Sequence, residues 1–168
     1  WTALNTGILK TLEYPIAATS LSKKDFRAIL SPAIGPALSA SGFSKSFPRA
    51  VLYSPVSIQG LGVQNLYHSQ SCRHIKDILD QTWKKSPSEK YLRMTMDAFK
   101  LEAGILGPLF KYKGNIDWVD VPRLWIQETL QFCQKYSISF EEPGTYLCAK
   151  RRNDVAIMTS LKNTGFTT

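Results

Sequence analysis

The sequence predicts a mainly α-helical protein with a minor β component. Apolar residues recur at three- and four-residue intervals over most of the chain, and serine, aspartate, glycine and proline punctuate these stretches where helices start and stop. Three short runs have strand character, Ala50–Tyr53, Ser137–Phe140 and Tyr146–Ala149. A chain of 168 residues, 43% hydrophobic and 20% charged, has an ordinary globular composition, enough for one domain or two small ones.

Taken in order, Leu4, Ile8 and Leu12 step by four and predict a short helix over residues 2 to 14, stopped by Pro15. Ser22 with Asp25 approximates a capping box, and Phe26, Ile29, Leu30 and Ile34 form the apolar face that follows. Pro32 and Pro36 predict a break at Ser31–Pro32 and a second short helix ending near Gly42. Residues 43 to 63 are rich in Ser, Pro and Gly and predict an irregular, hairpin-like segment around the Ala50–Tyr53 run.

Helical spacing returns over Asn65–Trp83, with Leu66, Ile75, Ile78 and Leu79 on one face. Lys84–Ser88 reads as a linker. Ser88 and Glu89 then cap a helix to Leu106, where Tyr91, Leu92, Thr95, Phe99 and Ala103 align and Gly107–Pro108 ends it. The polar run Lys111–Asn115 is the best boundary. Beyond it, Asp120 and Pro122 open a helix carrying Val121, Leu124, Trp125, Phe132 and Tyr136. Ser137–Phe140 predicts a strand, Glu141–Gly144 a turn, Tyr146–Ala149 a strand partner, and Asp154 the cap of a last helix ended by Gly165.

The formal charge of +8 is uneven: residues 1–115 hold 15 Lys and Arg against 7 Asp and Glu, residues 116–168 hold 6 against 6. A basic stretch beside a neutral one predicts a polyanion-facing surface next to a packing module. Nucleic acid fits better than membrane, since no basic helix carries a wide apolar face and no apolar run approaches the roughly 18 residues a bilayer span requires. Cys72, Cys133 and Cys148 cannot all pair within one chain and no secretion signal opens the sequence, which predicts an intracellular location, nuclear or cytoplasmic. A start at Trp1 predicts a segment of a longer polypeptide.

The segment Pro55–Tyr67 reads Pro-Val-Ser-Ile-Gln-Gly-Leu-Gly-Val-Gln-Asn-Leu-Tyr, and its paired glycines around Leu61 imply a tight turn feeding a helix. It resembles the Pro-x-x-x-Gly-Gly-Leu-Gly-[apolar] element downstream of the catalytic palm in reverse transcriptases of LINE-type (non-LTR) retrotransposons, with Gln59 in place of the usual first glycine. Leu12–Thr19, Phe47–Tyr53 and Asn153–Phe166, with Ile157-Met158 and Gly165-Phe166, are similar in the same order to blocks of the thumb and post-thumb region. The resemblance spans most of the chain. It implies a thumb-like helical segment over 1–44, a connecting segment with the Gly-Leu-Gly turn and helices over 45–113, and a small α+β module over 116–168. It also implies RNA or an RNA–DNA duplex as partner.

The palm's paired aspartates, which two-metal phosphoryl transfer requires, have no counterpart here, so the expected role is non-catalytic. Asp117 and Asp120 are spaced for capping ahead of Pro122 rather than for a metal. His68, Cys72 and His74 fall short of a zinc ligand set without a CxxC or HxxxH companion. Cys148 beside Lys150, Arg151 and Arg152 has no nearby base, Glu141 and Glu142 read as turn residues, and the Ser20–Lys23 Ser-x-x-Lys spacing stands alone. No cofactor or metal is expected.

The expected phosphate contacts are Lys23, Lys24, Arg27, Lys45, Arg49, Lys84, Lys85, Lys90 and Arg93, taken as a set against the competing account of a merely solvated surface. Lys45 and Arg49 flank Phe47. Gly60, Leu61 and Gly62 are expected to form a structural turn with Leu61 buried. Trp83, Trp118 and Trp125 read as core or interface anchors. The alternative partner is a protein, with the chain serving as a scaffold subunit in a larger assembly.

Overall fold

Helix signals dominate the chain, and the computed structural model describes residues 1–16, 18–82, 84–105, 107–114, 116, 118 and 124–142. These residues are mainly helical, and no strand occurs among them. The chain divides into two compact units, Trp1–Arg73 and His74–Thr168. The expected boundary residues Lys111–Gly114 lie within the second of these. The expected strand Tyr146–Ala149, the caps Asp120 and Asp154, and Pro122, Trp83 and Cys148 fall outside the described residues.

The first unit opens with a π-helical stretch, Leu4–Leu9, running into α1, Lys10–Ile16. Hydrogen bonds from i to i+5 widen the turn, so Leu4 and Leu9 share the buried face while Ile8 is 49% exposed. The expected stripe of Leu4, Ile8 and Leu12 is thereby displaced. The helix runs one residue past Pro15, so the proline falls in its last turn.

Helix α2, Lys23–Ala40, begins with the expected capping box: the Asp25 N–H donates to Ser22 Oγ at 3.3 Å, and the Ser22 N–H donates to Asp25 Oδ2 at 2.8 Å. The expected break at Ser31–Pro32 does not occur. Pro32 and Pro36 are both exposed, and the carbonyls deprived of a donor belong to Ala28 and Pro32, which are also exposed and open to water. Phe26, Leu30, Ile34 and Leu38 run down the opposite, buried face. Burying four such side chains at about 1.5–3 kcal/mol each offsets a penalty of about 3 kcal/mol per proline.

Ala50–Tyr53 is not a strand but part of α3, Arg49–Tyr53. Only Leu52 on it is fully buried, and Val51 is exposed, which is the pattern of a short helix lying on a core. So short a helix is unstable alone. The Gly-Leu-Gly turn completes it, because Leu61, Gly62 and Val63 donate their N–H groups to the carbonyls of Val51, Ser54 and Leu52 at 3.0, 2.9 and 3.1 Å.

Two neutral amides tie this unit together. Asn5 Nδ2 donates to the Gly62 carbonyl at 3.2 Å while its Oδ1 accepts from the Gln64 N–H at 3.3 Å. Gln70, on the buried face of α4 (Leu66–Thr82), accepts from the Leu21 N–H at 3.2 Å and donates to the Leu21 carbonyl at 2.9 Å. The buried face of α4 is therefore partly polar, with Gln70, Ser71 and His74 beside Leu66, Tyr67 and Ile78, while the expected Ile75 and Leu79 are only half-buried.

The second unit is built on α5, Pro87–Ala103, and α6, Trp125–Lys135. Ser86 rather than Ser88 caps α5, accepting from the Glu89 N–H at 3.3 Å, with Pro87 first in the helix. Gly104 at φ 68° ends it, ahead of the expected Gly107. Met96, Phe99 and Ala103 meet Ile78, Leu109, Ile126 and Leu130 in one apolar core, against which Trp118 and Trp125 pack. Tyr91, expected on this face, is 70% exposed. Tyr136 is likewise outward, at 41%.

The adjacent Glu141 and Glu142 are more than turn residues. Their side chains point opposite ways, Glu141 to Lys111 at the surface and Glu142 inward to Lys100, each at 2.5 Å. Glu142 Oε1 also accepts the Leu109 N–H at 2.7 Å. Phe140 stacks on Phe110 with centroids 4.3 Å apart. These contacts, rather than a ladder partner, hold Ser137–Phe140, which is not a strand.

Candidate nucleic-acid interface

Every one of the nine expected cations is exposed. Eight of them lie at or shortly before the start of a helix. Lys23, Lys24 and Arg27 occupy the first turns of α2; Lys45 precedes α3 and Arg49 is its first residue; Lys84 and Lys85 precede the Ser86 cap of α5 and Lys90 lies in its opening turns. A helix carries a partial positive charge at this end, so exposed cations within the first turn, such as Lys23, Lys24 and Arg49, are unfavourable by about 0.3–1 kcal/mol each. Placement for stability would be the reverse.

Lys85 adds a second cost. Its φ of 46° is left-handed, a conformation that disfavours any residue with a Cβ by about 1–2 kcal/mol. Arg93 differs from the rest, since it is paired with Glu89 one turn earlier. Among the described residues, Lys24, Arg27, Lys45, Arg49, Lys84, Lys85 and Lys90 have no ion-pair partner.

Acids are scarce where these cations concentrate. The first unit carries seven Lys and Arg against two Asp and Glu, an excess of five. Both acids are committed. Glu13 holds Lys10 at 2.6 Å, and that hydrogen bond keeps its carboxyl below the ordinary value of 4.5; Asp25 closes the α2 cap. The field of this unit is therefore set by its excess of lysine and arginine.

Phe47 does not offer a free face between Lys45 and Arg49. It is half-buried, its ring 4.7 Å from Phe43, which in turn lies 6.5 Å from Trp1. This region presents exposed cations rather than a free aromatic face.

The Gly-Leu-Gly element is a packing device. Gly60 is buried, and a Cβ there would collide with the Ser54 carbonyl. Gly62 has φ +63°, and its Cβ would sit 2.9 Å from Val56 Cγ2. Leu61 is only half-buried; Val63 and Leu52 are the buried apolar residues at the turn. Leu61 therefore departs from expectation, because the backbone of the turn, not its central side chain, is pressed into the unit. Gln59 also has φ 63°, the glycine-favouring region, at the position where the resembling element carries glycine.

Among the described residues no group of three or more His, Cys, Asp or Glu is arranged to hold a metal. Cys72 is exposed whereas His74 is buried, its Nδ1 3.3 Å from Thr129 Oγ1 and its ring 5.3 Å from Trp125. No helix among the described residues is long and apolar enough to cross a membrane. Comparison of the chain with known protein families, curated proteins and solved structures finds no match.

Proposed function

We propose that this chain is a non-catalytic, nucleic-acid-gripping segment, akin to the thumb and post-thumb region of a LINE-type reverse transcriptase, acting inside the cell. It holds RNA or an RNA–DNA duplex through phosphates, without reading bases. The observation that carries this reading is the charge of the first unit: an excess of five positive charges, with Lys23, Lys24 and Arg27 gathered at the positive end of α2 where they work against helix stability. A surface kept basic at a cost to its own helices is suited to a polyanion.

The test is duplex binding by the intact chain as a function of salt. Affinity should fall log-linearly with salt concentration, and the variant carrying Lys23→Glu, Lys24→Glu and Arg27→Glu should lose roughly two to three units of that slope. Salt-insensitive binding, or none at low salt, defeats the proposal. Primer extension that copurifies with the chain would defeat its non-catalytic part.

A protein partner is the second reading, favoured by one feature of α5. Tyr91, Met94 and Leu101 are 70%, 58% and 55% exposed and fall along one side of the helix. Loss of binding to a protein partner on Met94→Glu and Leu101→Glu, with duplex affinity unchanged, would support it.

A further inference from the structure

The second unit contains a half-open cleft of about 470 Å³ between the residues around Tyr112 and the C-terminal end of α6, a size within the range of roughly 300–1,000 Å³ usual for small-ligand sites. Its lining is chemically divided. Tyr112 and Trp118, both half-buried, supply aromatic surface, Ser137 and Ser139 supply hydroxyls, and Lys113 supplies an exposed cation. Lys111 also borders the cleft, but Glu141 holds it. Among the described residues Lys113 has no ion-pair partner.

Two backbone features shape this cleft. Ser137 has φ 55° and follows α6 in a turn where the Ile138 N–H donates to the Cys133 carbonyl at 2.9 Å. This is the helix ending that favours glycine. A serine there sacrifices stability and places a hydroxyl in the lining, and strained residues of this kind collect at ligand sites. Across the cleft, Tyr112 lies against the backbone of Gly114, where a Cβ would collide with the phenol. The glycine lets the tyrosine ring form part of the wall.

We propose that this cleft binds a single unpaired nucleotide, with its base against the aromatic side chains and its phosphate on Lys113. An aromatic wall accepts the face of any base. Serine hydroxyls, which donate and accept, pair with the polar edge, and one lysine with no ion-pair partner among the described residues matches one phosphate. The inference deepens the nucleic-acid reading and rests on it for the ligand's source. The two sites, however, lie on different residues and are separable.

The experiment is calorimetric titration of the intact chain with AMP, UMP and adenosine at moderate salt. AMP and UMP should bind saturably, one per chain and within a few-fold of each other. Lys113→Gln, at an exposed position that cannot unfold the core, should weaken AMP by roughly tenfold and leave adenosine unaffected. Ser137→Gly should raise the melting temperature while weakening AMP, a combination that a purely structural serine would not give. The Lys23→Glu, Lys24→Glu, Arg27→Glu variant should bind AMP normally. Absence of saturable AMP binding, or AMP binding indifferent to both Lys113→Gln and Ser137→Gly, overturns the proposal. Duplex binding that fails while AMP binding behaves as expected removes the grip and leaves the cleft.

Discussion

The two units of this chain solve the same problem of buried polarity in opposite ways. In Trp1–Arg73 the internal polar ties are amides, Asn5 and Gln70, which satisfy backbone groups without carrying charge. In His74–Thr168 the tie is ionic: Lys100 and Glu142 are 0% and 1% exposed and meet at 2.5 Å. Charge placement differs in the same sense. Helices α5 and α6 carry Glu89 and Glu128 in their first turns and Lys100 and Lys135 in their last, as the macrodipole favours. In the first unit α1, α2 and α3 have no basic residue in the last turn, and α2 and α3 carry cations at the start. The buried ion pair belongs to the second unit; outward cations occur in both, at the starts of α2 and α3 in the first and around the start of α5 in the second.

The comparison breaks most readily at the ionic tie. Lys100→Met leaves the Glu142 carboxylate buried without its cation and should cost about 3–5 kcal/mol in chemical denaturation, with much of the loss recovered by adding Glu142→Leu. A cost under about 1 kcal/mol would mean that the second unit does not depend on charge.

Gly60→Ala comes next. A methyl group there meets backbone, not a movable side chain, so about 2–4 kcal/mol should be lost, read as a lower denaturation midpoint with the m-value unchanged. Gln70→Leu should cost about 1–3 kcal/mol by stranding the polar groups of Leu21, and this cost should not vary with salt.

Reversing charge at Lys24 and Arg27 should act in the opposite direction. Acids at the start of α2 suit its dipole, so Lys24→Glu with Arg27→Glu should stabilise the chain by a few tenths to about 1 kcal/mol while weakening duplex binding. Destabilisation would show that these cations serve the fold.

The smallest effect is at the surface pair. Lys111 holds the Glu141 carboxyl below its ordinary value of 4.5, so this contribution to stability is present above that value and fades as pH falls through the lowered one. Lys111→Gln should raise the Glu141 titration midpoint, measured by NMR, and make the acid limb of the stability profile shallower.

Local signals were readable in the chain wherever the physics was local. Ser22 and Asp25 cap each other across three residues, so the start of α2 follows from sequence alone. The paired glycines likewise announced a turn, and Gly62 has a φ of 63° there. The uneven charge and the exposed cations were legible too, because lysine and arginine seldom go inside.

What escaped the sequence depended on partners far along the chain. The π-helical opening moved the buried face from Ile8 to Leu9, and no spacing rule reports which helix type packing will select. Pro32 and Pro36 are breakers by rule, yet the burial of Phe26, Leu30, Ile34 and Leu38 keeps α2 whole. Ala50–Tyr53 has strand propensity, but Leu61, Gly62 and Val63 supply the donors that finish a helix there.

Lys100 resembles any surface lysine until Glu142, 42 positions away, is brought beneath it. Residue type and short-range spacing thus determined helicity, caps, the tight turn and the basic character of the first unit, since each is settled within a few residues. Only the tertiary structure decided which polar groups are buried together and which cations stay unneutralised, because both depend on which distant groups the packing brings into contact.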